Sequence, residues 1–194
     1  MTTPAPHPTH SPSPTPPPPH LPARRVLTMD DLPSEFEDEE ALPSEFHLLF
    51  ALLLYETFRP TTVPPDQYFC AIDLYLYCLH EGVVRGLRPN WMGVVGVPAL
   101  YRGERTRASY VVEDEGRAPL IIVEALSPQT RRNDLAEYGR GAWAEDRKLL
   151  RKWDIYESVL KVPYYVTIDD RREAIRWFRH DGARYVEERP AGER

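Results

Sequence analysis

The chain has 194 residues, 42% of them hydrophobic, so it is long enough to bury one hydrophobic core. No apolar run approaches the roughly 20 residues of a membrane-spanning helix, and no secretion signal is recognisable, so we expect a cytoplasmic protein with no membrane partner. The net charge of -6 is uneven: residues 1–84 hold three basic and twelve acidic residues, and the remainder holds 21 basic and 18 acidic. The mildly basic remainder permits a phosphate-bearing substrate without requiring one.

Residues 1–27 form a tail dominated by proline, threonine, serine and histidine, including four consecutive prolines at 16–19. Such a composition cannot bury enough apolar surface to offset the cost of ordering the chain. We therefore predict a disordered tail over 1–27 and a folded domain over 28–194. The tail is a candidate binding segment for a protein partner.

The first element predicted in the folded domain is a helix that begins after Ser44 and ends before Pro60. Serine is a favourable N-terminal cap, and apolar residues follow it three and four positions apart. These positions are Phe46, Leu49, Phe50, Leu53, Leu54 and Thr57. The spacing predicts one apolar face along the helix.

Strand character follows in segments rich in aromatic and β-branched residues. The first four of these segments are 68–78, 91–97, 109–112 and the run 119–127. An amphipathic helix is predicted over 145–160, and three more strand segments follow it at 164–168, 174–178 and 184–186. The two cysteines, Cys70 and Cys78, lie in the first segment without metal-ligating neighbours, so we expect reduced thiols. The whole pattern predicts an α/β fold with a mixed central sheet flanked by helices.

Glu124 is the only charged residue within the apolar run 119–127. An unbroken apolar run is typical of a central strand covered on both faces, where an ionised side chain is costly. A basic side chain, a set of hydrogen bonds or a bound cation would compensate that cost. The alternative is that Glu124 lies at the exposed end of the strand.

Lys152 is the first candidate for the partner of Glu124. It lies three residues after Leu149 and four before Tyr156, so it projects from the apolar stripe of the predicted helix. A lysine in this position either extends to solvent or meets a buried anion. Because the helix follows the central strand and packs back across the sheet, we predict that Lys152 reaches Glu124. Lys148, one turn earlier, is the second candidate.

Short strings distributed along the chain resemble one known protein family. They are 121–130, 133–134, 152–156, 162–165 and 168–169, with 42–47, 89–90, 107–112 and 115–116 upstream. In these strings the chain resembles the Uma2 family of putative restriction endonucleases, a branch of the PD-(D/E)XK nuclease fold. The resemblance covers roughly residues 29–180 and excludes the tail.

The resemblance implies an aspartate, a glutamate and a lysine around a divalent metal at the edge of the sheet. The family's glutamate falls on Glu124 and its lysine on Lys152, whereas its aspartate falls on Asn90. An amide in place of a carboxylate offers only a neutral oxygen and should weaken metal binding. Asp73 is one candidate replacement ligand. The others are Glu113, Asp114 and Glu115.

The chemistry expected of such a site is phosphodiester hydrolysis. A hard cation held by carboxylates positions a water and stabilises charge on phosphoryl oxygens, and Mg²⁺, or alternatively Mn²⁺, suits oxygen ligands. A nearby lysine orients the water or offsets negative charge. We therefore expect a metal-dependent endonuclease, a hydrolase that acts on DNA, and the resemblance adds the expectation of a homodimer. The alternative is a catalytically degenerate nuclease fold that serves as a nucleic-acid-binding or protein-interaction module.

Overall fold

The structure is a computed structural model that describes residues 25–34, 44–127, 131–135 and 150–189. Within these residues no helix is long and apolar enough to cross a bilayer. The helices are α1 (Glu45–Thr57), α2 (Val112–Glu115), α3 (Arg131–Leu135) and α4 (Lys152–Asp154), which continues as a π-helical turn over Ile155–Val159. The strands are β1 (Tyr68–Ile72), β2 (Leu76–His80), β3 (Val83–Leu87), β4 (Trp91–Val95), β5 (Tyr110–Val111), β6 (Ile121–Ala125), β7 (Tyr164–Asp169), β8 (Ala174–His180) and β9 (Tyr185–Glu188). The described part is therefore mostly strand with few, short helices.

Two sheets share the described strands. The larger has six strands in the order β1-β4-β6-β7-β8-β9, and it is mixed because β6 and β7 are parallel while the other pairs are antiparallel. The smaller has three strands in the order β3-β2-β5. The mixed central sheet agrees with the sequence prediction, whereas the second sheet was not expected.

The prediction of one strand over 68–78 is wrong, because the chain leaves the larger sheet at Asp73. That residue has a φ of 53°, in the left-handed region, which breaks the extended backbone between β1 and β2. The Arg88 side chain donates from Nε to the Asp73 carbonyl at 3.1 Å, and the Asp73 amide donates to the Asn90 carbonyl at 3.1 Å. These bonds hold the break in place beside the start of β4.

The strand β6 lies at the centre of the core and is covered on both faces. On one face Ile122 packs with Tyr156 and Tyr165, and on the other Val123 packs with residues of α1. Glu124 is only 1% exposed in this setting. The alternative of an exposed position for Glu124 is therefore wrong, and its carboxylate must be compensated within the protein.

The helix α1 has the predicted extent, but its inward face differs in part from the prediction. Phe50 and Ala51 are buried against the larger sheet, whereas Leu49 and Leu53 are 57% and 63% exposed. The Ser44 hydroxyl lies 2.7 Å from His47 Nδ1 and makes no side-chain cap to the helix backbone. Because α1 is apolar around most of its circumference, residue spacing alone could not identify the buried face.

The predicted helix over 145–160 is described only from residue 150 onward, so Lys148 and Leu149 lie outside the described residues. Likewise, residues 1–24 of the predicted tail lie outside them. The described helical segment begins at Lys152. The Arg151 side chain pairs with Asp154 at 2.8 Å across this first turn. Helical spacing then places Tyr156 on the same side as Lys152, facing β6.

Candidate functional site

The carboxylate of Glu124 is the centre of the candidate site. Its Oε1 accepts hydrogen bonds from Lys152 Nζ and from the Tyr156 hydroxyl, each at 3.0 Å. Its Oε2 accepts a hydrogen bond from the Asn90 amide at 3.2 Å. Lys152 Nζ also donates to the Arg88 carbonyl at 2.8 Å. The carboxylate is thus compensated by one cation and two neutral donors.

Glu124 and its partner Lys152 differ in exposure. The Glu124 side chain is 1% exposed and that of Lys152 is 26% exposed, so part of the lysine side chain lies at the surface whereas the carboxylate is enclosed. Burial by itself lowers the pKa of Lys152, but Glu124, Asp134 and Asp73 together outweigh burial and raise that pKa above 10.5. Burial first, and Glu124 second, raise the pKa of Tyr156 well above its ordinary value. At neutral pH, Lys152 is therefore cationic and the Tyr156 hydroxyl is protonated.

Asn90 lies at the start of β4 and bridges it to the end of β6. Its backbone amide donates to Glu124, and its side-chain Oδ1 accepts a hydrogen bond from the Ala125 amide at 2.8 Å. The position that the resemblance assigns to an aspartate is thus within hydrogen-bonding distance of Glu124. A carboxylate oxygen could accept the same bond from Ala125, so the backbone does not require an amide here.

Asp73 lies close enough to Lys152 to raise its pKa, but its carboxylate is engaged elsewhere. It forms an ion pair with Arg88 at 2.7 Å. A ligand role for Asp73 would require that pair to open. Asp73 is therefore less ready than Asn90 to contribute an oxygen to the site.

The three other candidate carboxylates, at 113–115, have partners around the smaller sheet. Those partners are the Leu79 amide for Glu113 at 2.7 Å, the Tyr101 hydroxyl for Asp114 at 2.7 Å, and the Arg107 guanidinium for Glu115 at 2.6 and 2.7 Å. The Arg107 and Glu115 side chains are 3% and 6% exposed. These contacts give residues 113–115 a structural role around the smaller sheet. The sequence had suggested them as candidate metal ligands.

Two residues near Glu124 were not identified as site residues from the sequence. Tyr156 donates directly to Glu124, and the signal for it was its position four residues after Lys152. Asp134, in α3, is 1% exposed and contributes to the raised pKa of Lys152. Its carbonyl accepts a hydrogen bond from the Tyr165 hydroxyl at 2.9 Å. The strings that carry the family resemblance include 133–134, but they did not indicate that Asp134 lies near Lys152.

The oxygen donors at the site fit a hard cation in kind. Glu124 Oε2 and Asn90 Oδ1 each accept one hydrogen bond from the part of the chain that the structure describes, and each such oxygen has two lone pairs. Oxygen ligands suit Mg²⁺ and Mn²⁺. Within the described residues, however, no three His, Cys, Asp or Glu side chains are grouped closely enough to hold a metal. The ligand set is therefore of the right type but carries only one negative charge.

A basic cleft of about 320 Å³ opens beyond the carboxyl ends of β6 and β7. Its lining consists of Leu126, Ser127, Arg131, Asp169, Arg171 and Arg172. Arg131 forms an ion pair with Asp169, and Arg172 Nε lies 3.6 Å from the same carboxylate. Among the lining residues that the structure describes, three guanidinium groups stand against one carboxylate, and this excess of positive charge favours anionic ligands.

Comparison with known proteins agrees with the family resemblance. None of the curated proteins matches the chain. One similar solved structure is a putative nuclease belonging to DUF820 from Anabaena variabilis ATCC 29413, with 14% identity, a TM-score of 0.47, and coverage of 84% of this chain and 83% of that chain. The family model for Uma2, described as putative restriction endonuclease, matches residues 35–194. Because this match spans well over half of the sequence, the chain belongs to the Uma2 family of putative restriction endonucleases.

Proposed function

We propose that this chain is a metal-dependent DNA endonuclease that hydrolyses phosphodiester bonds. The observation that supports the proposal is the buried Glu124 carboxylate, bonded to both Lys152 and Asn90. These are the three positions at which the family resemblance implies a glutamate, a lysine and an aspartate. They come from β6, α4 and the start of β4, so only the folded chain brings them together.

Each residue has a role in this proposal. Glu124 Oε2 and Asn90 Oδ1 would hold Mg²⁺, or Mn²⁺ in its place, with waters and substrate oxygens as the remaining ligands. When bound, the cation stabilises negative charge on the phosphoryl oxygens. Lys152, cationic and partly exposed, orients the attacking water and offsets the same charge. Tyr156 fixes the orientation of the Glu124 carboxylate through its hydroxyl.

The basic cleft supplies a position for the DNA strand. The exposed guanidinium groups of Arg171 and Arg172 lie at the turn that follows β7, one strand away from Glu124. Arginine binds phosphate oxygens through paired N–H groups, and such contacts hold DNA without reading its sequence. The proposal therefore includes cleavage of DNA whose backbone lies across this cleft.

A second candidate function is a nucleic-acid-binding module without catalysis. Two observations favour it: Asn90 supplies no ligand charge, and Oε1 of Glu124 already accepts two hydrogen bonds from the protein. In that case the Glu124–Lys152 pair is a structural feature of a degenerate nuclease fold. The basic cleft would then bind nucleic acid without cleaving it.

Nicking of supercoiled plasmid DNA in Mg²⁺ or Mn²⁺ distinguishes the two functions. We expect the natural protein to nick the plasmid, a chelator to stop it, and Glu124→Gln to abolish it, because the variant loses the ligand charge. Glu113→Gln is the matched control, since Glu113 bonds to the Leu79 amide in the smaller sheet. If the natural protein binds DNA but nicks it with neither metal, the binding module is the correct function.

The variant Asn90→Asp tests the departure from the family pattern. It adds one ligand charge beside Glu124, so we expect metal affinity to rise by at least about tenfold, or ~1.4 kcal/mol, with faster nicking. The control is Asn90→Asp combined with Lys152→Ala, which should keep the tighter metal binding and lose the gain in nicking. If Asn90→Asp binds metal no better while the natural protein cuts DNA, another carboxylate such as Asp73 holds the metal.

A further inference from the structure

Five residues around the candidate site are joined in a closed ring by hydrogen bonds and one ion pair. Glu124 accepts hydrogen bonds from Lys152 Nζ and from the Asn90 amide. Lys152 also donates to the Arg88 carbonyl, and the Asp73 amide donates to the Asn90 carbonyl. The ion pair between Arg88 and Asp73, at 2.7 Å, closes the ring. The Arg88 side chain therefore belongs to the same network of contacts as Glu124 and Lys152.

The charged members of this ring differ in their access to solvent. The side chains of Lys152, Arg88 and Asp73 are 26%, 28% and 20% exposed, whereas that of Glu124 is 1% exposed. Among these four residues, the partly exposed side chains are therefore two cations and one carboxylate, and they surround an enclosed carboxylate. An excess of positive charge at the surface of a site favours an anionic ligand.

The contact between Arg88 and Asp73 is one that an incoming anion can replace. Arg88 Nε donates to the Asp73 carbonyl at 3.1 Å, and a terminal nitrogen of the guanidinium lies 2.7 Å from the Asp73 carboxylate. An ion pair between partly exposed side chains contributes little to stability, so its opening costs little. Phosphate is a suitable replacement, because its oxygens accept paired N–H bonds from a guanidinium as a carboxylate does.

We propose that Arg88 is a substrate-binding residue that exchanges the Asp73 carboxylate for a phosphate group of DNA. Lys152, whose ammonium is bonded to the Arg88 carbonyl, is the second cation of this phosphate-binding pair. The Asp73 carboxylate competes with DNA for the guanidinium and so limits the affinity for DNA. The inference rests on the proposed nuclease function, to which it adds a residue that holds a phosphate beside Glu124.

A purely structural role for the ion pair makes a different prediction. In that case Arg88 and Asp73 only hold the segment 88–90 in place beside the site, so loss of either side chain should loosen the site and weaken DNA binding. Exchange predicts effects of opposite sign: loss of the guanidinium weakens DNA binding, whereas loss of the carboxylate that competes with DNA strengthens it. The sign of the effect at Asp73 therefore distinguishes the two roles.

Binding of a labelled duplex DNA of mixed sequence to the full chain, measured by fluorescence anisotropy in EDTA, tests the exchange. Arg88→Met should weaken binding about tenfold at ~0.1 M salt and reduce the slope of affinity against salt by about one, because one phosphate contact is lost. Asp73→Asn should tighten binding about two- to fivefold. Asparagine tolerates the left-handed φ of 53° at this position, so this variant should fold. When Arg88→Met is also present, the gain from Asp73→Asn should disappear.

Glu188→Gln is the matched control, because it removes a carboxylate that pairs with Arg179 on the other face of the larger sheet, and it should leave DNA affinity unchanged. Weaker binding by Asp73→Asn, or a gain that persists together with Arg88→Met, overturns the inference. If the natural protein nicks plasmid DNA while Arg88→Met keeps the natural affinity and salt slope, the inference is wrong and the proposed function stands. If the natural protein neither binds nor nicks DNA, both are wrong.

Discussion

Lys152→Met tests whether the Glu124 carboxylate depends on the ammonium of Lys152. Methionine keeps an unbranched apolar stem of similar length and removes the charge together with the hydrogen bonds to Glu124 and to the Arg88 carbonyl. Among the described residues, Glu124, 1% exposed, then retains only the Tyr156 hydroxyl and the Asn90 amide as donors. A buried carboxylate without a cation should destabilise the folded state.

The expected cost follows from the exposure of the two partners. Removal of one member of a fully buried ion pair costs about 3–5 kcal/mol. The Lys152 side chain is 26% exposed, so water can enter beside Glu124 in the variant, and we expect a loss of about 2–3 kcal/mol. For a chain of this size, that corresponds to a fall in Tm of roughly 4–12 °C. Glu124→Gln should cost less, about 1–2 kcal/mol, because the ammonium keeps its hydrogen bond to the Arg88 carbonyl.

Urea unfolding of both single variants and the double variant measures the coupling between the two residues. The double variant should lose less stability than the sum of the single losses, with a difference of about 1–3 kcal/mol. Arg176→Met is the control: it breaks the Arg176–Glu187 pair, whose side chains are well exposed, and should cost no more than about 1 kcal/mol. A loss below about 0.5 kcal/mol for Lys152→Met would show that Glu124 does not need the ammonium, and the electrostatic argument would be refuted.

Three further predictions concern the rest of the molecule. Arg107→Met should lower the free energy of unfolding in urea by about 3–5 kcal/mol, because Arg107 and Glu115 are both buried and paired. A loss close to that of an exposed pair would contradict this. The pKa of Lys152 is raised in the folded state, so the charged ammonium contributes fully to the free energy of unfolding below about pH 10.5. This contribution is lost as the pH rises through the pKa that Lys152 has in the folded protein. The fall in stability of the natural protein above that pH should therefore be steeper than that of Lys152→Met, and parallel curves would refute the assignment. Burial raises the pKa of Cys70 to about 11 and that of Cys78 to about 12, so both thiols of the native protein should react with iodoacetamide at neutral pH at least about 100-fold more slowly than those of the unfolded chain.

The pairing of Glu124 with Lys152 could be expected from the sequence because each residue violated a local pattern. Glu124 interrupts an apolar strand, and Lys152 interrupts the apolar stripe of a helix. A buried charge requires a partner, so two such violations in consecutive elements point to each other. The structure places their atoms 3.0 Å apart, although the described helix is shorter than the predicted one.

The division into two sheets could not be predicted, because it depends on one backbone angle. Asp73 adopts a left-handed conformation inside a continuous aromatic and apolar segment, and its stabilising bonds come from the Arg88 side chain and the Asn90 carbonyl. A local sequence pattern carries no information about such contacts. The hairpin of β2 and β3 did have a signal in the sequence, because glycine is favoured in two-residue hairpin turns. Glu81 and Gly82, with φ values of 50° and 78°, form the turn that joins these two strands.

The exposures of Glu124 and Lys152 determine how a substrate could approach the site. The Lys152 side chain is 26% exposed and that of Glu124 is 1% exposed, so under the proposed function an anionic substrate would approach from the side of Lys152. A metal ion, under the proposed function, would have to reach Glu124 Oε2, on the side where Asn90 lies. In the proposed nuclease function the two approaches would differ: Asn90 would influence the entry of the metal, and Lys152 would influence the attraction of phosphate. Loss of phosphate affinity without loss of metal affinity in Lys152→Met is therefore consistent with a nuclease site, whereas equal loss of both would mean that the pair acts only by holding the fold together.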